Sequence, residues 1–158
     1  MAMFDIHDLP ASRGAYVLHL SVASAQRISV GRLGHYHFSA GDYFYVGSAH
    51  GAGGLRARIG RHLRRAGTRH WHIDYLRAIA DVHEVFYTVT DDSLECAWSH
   101  ALARLPWASI PAPHFGAGDC RSGCVAHLIA FPPRTHLTAV PRILEQAAHM
   151  PIAYLSNK

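Results

Sequence analysis

Side chains that together can cleave a phosphodiester occur as an ordered series along this chain. Two tyrosine–glycine tripeptides, GAY at residues 14–16 and YVG at residues 45–47, each lie in a β-like run. A basic helix with Arg58 and His62 follows, and Glu95 lies in the first turn of a later helix. Phosphodiester hydrolysis needs an activated water, neutralisation of charge on the phosphate oxygens and stabilisation of the leaving oxygen. Two phenols, a guanidinium, an imidazole and a carboxylate could meet these needs with one divalent cation.

The basic helix is the strongest electrostatic feature of the sequence. Leu55, Ile59 and Leu63 recur at helical spacing within the segment LRARIGRHLRR, residues 55–65. Its arginines are Arg56, Arg58, Arg61, Arg64 and Arg65. No acids are interleaved to form ion pairs along the helix, so the cluster indicates contact with a polyanion. A solvated helix face is the alternative.

Length and composition indicate one globular domain, residues 1–158, with a core at about 14–131 and a closing helix at about 140–150. The chain has 158 residues, 49% of them hydrophobic, and a formal net charge of +4. No run approaches the roughly 20 apolar residues of a membrane-spanning helix. The first ten residues carry acids where a secretory signal would be basic. We therefore expect a cytoplasmic location and no membrane partner.

Periodicity along the chain predicts an α+β fold. Strands are expected at residues 14–20, 26–30, 35–38, 43–46, 82–90 and 124–131. Helices are expected at residues 55–66, 70–80, 92–105 and 140–150. These elements predict a small, mainly antiparallel central sheet flanked by helices, with a flexible glycine-rich loop at residues 47–54.

The ordered motifs resemble the GIY-YIG nuclease superfamily. The most specific stretch is YVGSA at residues 45–49, followed by Leu55-x-x-Arg58-x-x-x-His62. Within the superfamily, the chain is similar to a branch filed as a domain of unknown function, some members of which are fused to helix-hairpin-helix DNA glycosylases. The branch features include VGRLG at 30–34, HWHIDYL at 70–76, and the pairs Glu95-Cys96, Asp119-Cys120 and His127-Leu128.

The resemblance implies a metal-dependent endonuclease that hydrolyses DNA, is selective for DNA structure and acts in repair or recombination. Mg²⁺ or Mn²⁺ would be the cofactor, with no small-molecule cofactor. A non-catalytic nucleic-acid-binding module is the rival reading. An RNA-cleaving nuclease with the same site is a further alternative, because nothing in the sequence recognises the 2′-hydroxyl.

The resemblance also implies roles for individual residues. Glu95 would bind the metal, although Asp92-x-x-Glu95 also fits a capping box in which Glu95 bonds to the Asp92 N–H. Arg58 would contact the scissile phosphate. His62, one helical turn later, would position the water or contact a phosphate, or it is a partly buried histidine. These side chains would form one shallow cleft.

Tyr16 and Tyr45 would project from neighbouring strands, and one of them would orient the attacking water. A phenol with a pKa near 10 is a poor base unless neighbouring cations such as Arg58 lower that pKa. His70 would be a second catalytic histidine, in competition with His72. Flanking phosphates would be held by Arg56, Arg61, Arg64 and Arg65.

Two departures from the superfamily pattern stand out. A hairpin at residues 26–38 separates the two tyrosine motifs, and it could extend the sheet without separating the tyrosines. The asparagine that many members place after the metal-binding glutamate is missing, since the single asparagine is Asn157. Asp119 or His127 could take its place.

The cysteines offer an incomplete metal site. An odd count of three argues against a disulfide framework. Cys120-x₃-Cys124-x₂-His127 supplies three ligands, whereas a structural zinc needs four, so His114 or Asp119 would have to complete the site. The alternative is that these residues pack a loop against the sheet.

Overall fold

The computed structural model describes residues 4–64, 67–118 and 120–157. Its strands are β1 (Gly14–Val22), β2 (Gln26–Ser29), β3 (His35–Phe38), β4 (Gly41–Ala49), β5 (Ala80–Val89), β6 (Leu128–Phe131) and β7 (Ala153–Ser156). Five of them form an antiparallel sheet in the order β6-β4-β1-β5-β7. The helices described are α1 (Gly54–Leu63), α2 (His72–Leu76), α3 (Glu95–Ala103) and α4 (Val140–Ala148). The predicted α+β class with an antiparallel sheet is confirmed.

Strand β1 is the centre of the sheet. Its GAYVLHLSV sequence is apolar on both faces and pairs with β4 on one side and β5 on the other. In the β1–β4 register Tyr16 lies opposite Gly47, and Leu18 lies opposite Tyr45. Because side chains alternate along a strand, Tyr16 and Tyr45 point to the same face as diagonal neighbours, with ring centroids 6.5 Å apart.

Two hydrophobic clusters fill the two faces of the sheet. On the face with the tyrosines, α1 buries Leu55 and Ile59, and α2 buries Ile73 and Leu76. On the opposite face α3 and α4 pack on the alternate strand residues, and Trp98 is fully buried there. The order is therefore helix layer, sheet, helix layer, which brings α1 and α3 to the sheet from opposite sides.

The predicted hairpin exists but does not extend the central sheet. Strands β2 and β3 pair only with each other, as a separate two-stranded sheet. Val30 directly follows β2, and Phe38 is the last residue of β3. Both are buried in the cluster on the tyrosine face. The insertion therefore packs over that face and leaves the β1–β4 pairing intact.

The predicted helix at residues 70–80 is wrong in length. Asp74 accepts hydrogen bonds from the backbone N–H groups of His70 and Trp71, at 2.7 and 2.9 Å, which caps a helix that begins only at His72. Arg77 then donates to the carbonyl oxygens of His62 and Ala80. Strand β5 starts at Ala80, so α2 has little more than one turn.

Several further elements differ from the sequence expectation; for example, α3 begins at Glu95 rather than residue 92. Strand β7 was not predicted, because it is short and three of its four residues are exposed. Strand β6 begins at Leu128 rather than residue 124, although the His127 carbonyl still accepts a hydrogen bond from the Val46 N–H at 2.9 Å. Among the described residues, no helix is long and apolar enough to cross a membrane.

The close approach of Tyr16 to Gly47 yields a test of the β1–β4 register. A Cβ at Gly47 would lie 2.4 Å from the Tyr16 hydroxyl oxygen and 2.5 Å from Cζ. Tyr16 is buried and hydrogen-bonded, so its ring cannot swing away freely. We expect Gly47→Ala to lower the free energy of unfolding by about 1–3 kcal/mol in urea denaturation. Gly51→Ala is the control, since no atom lies within 4 Å of its Cβ position. Equal losses in both variants would contradict the packing described.

Candidate active site

A cavity of about 400 Å³ lies where β1, β4, α1 and α3 meet. Four of the predicted site residues line it: Tyr16, Tyr45, Arg58 and Glu95. Each comes from a different element, β1, β4, α1 and α3 respectively. Side chains that are up to 79 positions apart in the chain therefore face one space.

His62 lies behind the cavity rather than in it. Its imidazole is buried, with 1% of the residue exposed, and its Nε2 lies 2.6 Å from the Tyr16 hydroxyl. Burial lowers its pKa to about 3, and the nearby Arg58, Arg61 and Arg77 add to this against the opposing effect of Asp74. The imidazole is therefore neutral at physiological pH. This position agrees with the alternative of a buried histidine. In the structure His62 meets the cavity lining from behind, through Tyr16, Tyr45 and Trp71.

The two phenols are protonated in this structure. Burial is the main cause that raises the pKa of Tyr16 well above 10 and also raises the pKa of Tyr45. Arg58 opposes this rise at both residues, but its effect is smaller than that of burial. Arg58 alone therefore does not bring either pKa below its ordinary value. The Tyr45 hydroxyl has no hydrogen-bond partner among the described residues, so it remains available to a ligand.

Arg58 is held in place by two contacts. Its guanidinium carbon lies 4.4 Å from the centre of the Trp71 ring, and its Nη1 donates to the Ser48 carbonyl oxygen at 3.2 Å. Trp71 also lines the cavity. Trp71 lies within the HWHIDYL stretch at residues 70–76, but its place in the sequence alone gave it no role at the site. Trp71 is a positioning residue for Arg58.

Glu95 is the first residue of α3, and it does not form the capping box. The Asp92 N–H donates instead to Thr90 Oγ1 at 2.9 Å. The Glu95 carboxylate faces the cavity, with its Oε2 3.1 Å from His127 Nδ1. The two groups therefore lie at ion-pair distance.

The charge state of Glu95 follows from these neighbours. Burial raises its pKa, but the interactions with His127 and Ser48 outweigh burial and hold the pKa below its ordinary value. For His127, burial lowers the pKa, and the Glu95 carboxylate outweighs that effect and raises it. The site thus holds an ionised carboxylate at the N-terminus of α3, where the helix dipole favours negative charge.

The other predicted histidine is outside the cavity. His70 is exposed, and its ring lies 5.0 Å from the Trp71 ring without reaching the cavity lining. His72, its competitor, accepts a hydrogen bond from the Gly116 N–H on Nδ1 at 2.9 Å. It therefore supports a loop. The structure therefore does not bring His70 to the site: its residue is exposed and lies outside the cavity lining.

The predicted phosphate-binding arginines divide into three groups. Arg56 and Arg64 are exposed, although Arg56 Nε also donates to the Leu9 carbonyl oxygen at 2.8 Å. Arg61 pairs with Asp74 at 3.2 Å and lies over Trp71, so an acid outside the helix supplies the partner that the helix lacks. Arg65 lies outside the described residues.

The structure also distinguishes the residues that could take the place of the missing asparagine. Asn157 donates to the Val82 carbonyl oxygen, away from the cavity lining. Asp119 lies outside the described residues. His127 lies against Glu95, so it is the candidate that the structure brings to the site.

A cysteine cluster adjoins the cavity. The structure joins Cys96 and Cys124 in a single disulfide across 28 residues, which was not predicted. Cys120 Sγ lies 3.3 Å from Cys96 Sγ, and hydrogen bonding to the Cys124 backbone lowers the pKa of the Cys120 thiol. The ligand atoms of Cys96, Cys120, Cys124 and His127 all lie within 4.8 Å of one another.

The fourth potential ligand is therefore Cys96, which the sequence reasoning missed. The two residues proposed to complete the set do not do so in the described structure: His114 is exposed and outside the cluster, and Asp119 lies outside the described residues. Its position next to Glu95 was the one feature of the sequence that could have drawn attention to Cys96. These four residues could hold a metal ion.

Burial of His62 predicts a specific pH dependence of stability. The unfolded chain binds a proton on this side chain near pH 6.5, whereas the folded chain binds it near pH 3. The contribution is therefore complete above pH 6.5 and is lost as the pH falls toward 3, at up to about 1.4 kcal/mol per pH unit. We expect His62→Gln to flatten this slope in urea unfolding between about pH 7.5 and about pH 5. His70→Gln, at an exposed histidine, should keep the wild-type slope, and an unchanged slope in His62→Gln would contradict the buried neutral state.

Comparison with known proteins gives a family but no characterised relative. Searches of curated proteins and of solved structures find no significant match. A family model described as "Domain of unknown function DUF123" matches residues 15–149, which include every cavity residue discussed above. On that coverage, the chain belongs to the DUF123 family.

Proposed function

We propose that this protein is a GIY-YIG-type endonuclease that hydrolyses DNA phosphodiester bonds with a divalent metal. One observation carries the proposal. Arg58 and Glu95 line the same cavity with two strand tyrosines, yet they do not pair with each other. Arg58 is held by Ser48 and Trp71, and Glu95 by His127, so a cationic fork and a carboxylate both remain available to a ligand.

The donor set fits a hard divalent cation. Glu95 is the one carboxylate among the described residues that line the cavity, and it is ionised. Mg²⁺ keeps several waters and takes phosphate oxygens directly, so a single protein carboxylate suffices. When bound there, the cation would neutralise charge on the phosphate oxygens and help the leaving oxygen depart.

Arg58 would bind the scissile phosphate. Its guanidinium offers two parallel N–H donors that match phosphate oxygens. The Trp71 ring and the Ser48 carbonyl fix the group before substrate arrives, so no reorganisation is needed when charge develops.

The phenols would act by hydrogen bonding rather than as bases. Tyr45, whose hydroxyl is unpartnered among the described residues, would orient the attacking water. Tyr16 is braced by His62 and would shape the wall of the cavity beside it. Because both phenols are protonated, the water's proton would pass to solvent or to the substrate phosphate.

The exposed arginines would bind the phosphates of the flanking DNA. Arg56 and Arg64 are exposed at the two ends of α1. Contacts of this kind go to phosphates and carry no sequence information. We therefore propose selectivity for DNA structure, consistent with a role in repair or recombination.

A non-catalytic nucleic-acid-binding module is the second candidate. The protonated phenols favour it, because neither tyrosine in the cavity is a ready general base. It would keep the basic helix and the fold without turnover. An RNA nuclease would use the same groups, so DNA and RNA substrates must be compared directly.

The decisive test is metal-dependent cleavage with matched carboxamide variants. We expect the wild type to nick DNA with Mg²⁺ or Mn²⁺, and Glu95→Gln to lower the rate at least about a hundredfold while binding changes little. Glu84→Gln is the control, because this half-buried glutamate lies on β5 outside the cavity. The assay measures nicking and binding on branched, single-stranded and duplex DNA and on RNA of matched sequence.

The outcomes of this assay separate the candidates. Binding without cleavage under either metal would identify the non-catalytic module. Cleavage confined to RNA would identify the RNA nuclease. Equal activity in Glu95→Gln and wild type would remove Glu95 from the mechanism.

The salt dependence of DNA binding tests the proposed contacts of Arg56 and Arg64 with flanking phosphates. Each phosphate contact releases a counterion, so log K falls with log salt by about 0.9 per contact on duplex DNA. We expect the double variant Arg56→Ala/Arg64→Ala to reduce that slope by about two. Arg142→Ala, an exposed arginine on α4 at the opposite face, should leave it unchanged. Titrations by fluorescence anisotropy at several salt concentrations measure the slope, and an equal effect of Arg142→Ala would place the DNA elsewhere.

A further inference from the structure

We propose that the reduced protein binds one thiophilic divalent cation of the Zn²⁺ type through Cys96, Cys120, Cys124 and His127. We call these four residues the thiol cluster. This site lies beside the candidate active site, and the inference goes beyond the proposed function because metal binding here does not require nuclease activity.

The spacing of the four ligand atoms suits a tetrahedral ion. Cys96 Sγ lies 3.3 Å from Cys120 Sγ and 4.0 Å from His127 Nε2, and all four ligand atoms lie within 4.8 Å of one another. A zinc ion with bonds of about 2.3 Å to sulfur places its ligands about 3.8 Å apart. Cys96 and Cys124 Sγ are bonded to each other and must separate on reduction, whereas the Cys96–Cys120 and Cys96–His127 distances need only small adjustments.

The chemistry of the ligands separates this site from the cation expected at Glu95. Three thiolates and one imidazole form a set that favours Zn²⁺ over Mg²⁺, whereas the cavity offers oxygen ligands. Cys124 and His127 are buried, and the other two cysteines are half-buried. Such a closed site fits a structural ion that fastens the loop before β6 to the start of α3.

His127 connects the thiol cluster to the candidate active site. Its Nε2 faces the sulfur atoms, and its Nδ1 lies 3.1 Å from Glu95 Oε2. A histidine that binds a metal through one ring nitrogen commonly gives its other N–H to a carboxylate, which fixes the ring. Glu95 has this position here, so an ion in the thiol cluster would orient both His127 and Glu95.

The disulfide and the metal site are alternative states of the same sulfur atoms. In the disulfide, Cys96 and Cys124 are bonded to each other and cannot both supply thiolates. A phosphine reductant breaks the S–S bond: the phosphine is oxidised to its oxide with the oxygen of a water molecule, and the two sulfur atoms take the two protons. Metal binding then releases the thiol protons.

The test is metal titration of the full chain, stripped of metal and kept in a phosphine reductant. Zn²⁺ is titrated against a chromophoric chelator, and Co²⁺ is used as a spectroscopic probe of sulfur ligation. We expect one ion per chain and the intense charge-transfer absorption of cobalt–thiolate bonds. Cys120→Ser, which leaves the disulfide pair intact, should weaken Zn²⁺ binding at least about a hundredfold.

Two histidine variants make a matched pair. His127→Gln should weaken binding at least about tenfold. His100→Gln is the control, because His100 Nε2 lies 3.8 Å from Cys124 Sγ yet is not a member of the thiol cluster. Glu95→Gln should keep the cobalt–thiolate absorption and weaken Zn²⁺ affinity about tenfold, since it acts through His127.

Two results would overturn the proposal. The first is reduced, folded wild-type protein that shows no cobalt–thiolate absorption and no Zn²⁺ uptake. The second is equal affinity in wild type and His127→Gln, or an equal loss in His100→Gln. If Cys120→Ser does not fold, the wild-type spectrum and the histidine pair still decide. None of these measurements uses DNA, so failure of the proposed nuclease activity would be seen separately.

Discussion

The register between β1 and β4 is the constraint on which the candidate site depends. Side chains alternate between the faces of a sheet, so a slip of one residue would exchange the tyrosine face for the face packed by α3 and α4. The register is fixed where the Tyr16 ring lies over Gly47, a position with no room for a Cβ. The hydrogen bond to His62 then holds the phenol from the side of α1. One close contact thereby relates β1, β4 and α1, the elements that carry Tyr16, Tyr45 and Arg58.

Burial and charge act against each other in the cavity, and the outcome differs from group to group. For the phenols and His62, burial dominates and the groups stay neutral. For Glu95, the neighbouring His127 and Ser48 dominate and the carboxylate stays ionised. The Arg58 guanidinium contacts a carbonyl oxygen and an aromatic ring rather than Glu95. The described lining therefore combines neutral phenols with the side chains of Arg58 and Arg121 and the carboxylate of Glu95.

Much of the fold could be predicted because local patterns determine it. The alternating residues of β1 and the helical spacing of Leu55, Ile59 and Leu63 are visible in the chain itself. Four cavity residues could be named from ordered motifs. The sequence could not show which of Arg58 and His62, one turn apart on α1, faces the core, because that depends on how the helix packs. His62 turned out buried, and Arg58 lines the cavity.

Features that depend on distant contacts were the ones missed. The Asp74 cap, which shortens the predicted helix, was not recognised in HWHIDYL. Cys96 is 24 residues from Cys120 and gave no motif spacing, although their sulfur atoms are in contact. Strand β7 has a half-exposed sequence with little alternation, and it is a strand only because β5 offers an open edge.

The thiol cluster bears on the shape of the cavity as well as on its neighbour Glu95. Gly116, Cys120 and Ser122 line the cavity from the loop that precedes β6. At Gly116 a Cβ would lie 2.9 Å from Tyr45 Cε1, so this loop already touches the phenol proposed to orient water. A bond from Cys124 or Cys120 to Cys96, whether direct or through an ion, fastens the loop to the first turn of α3. The wall beside Tyr45 and the first turn of α3, which carries Glu95, are then joined by the same link.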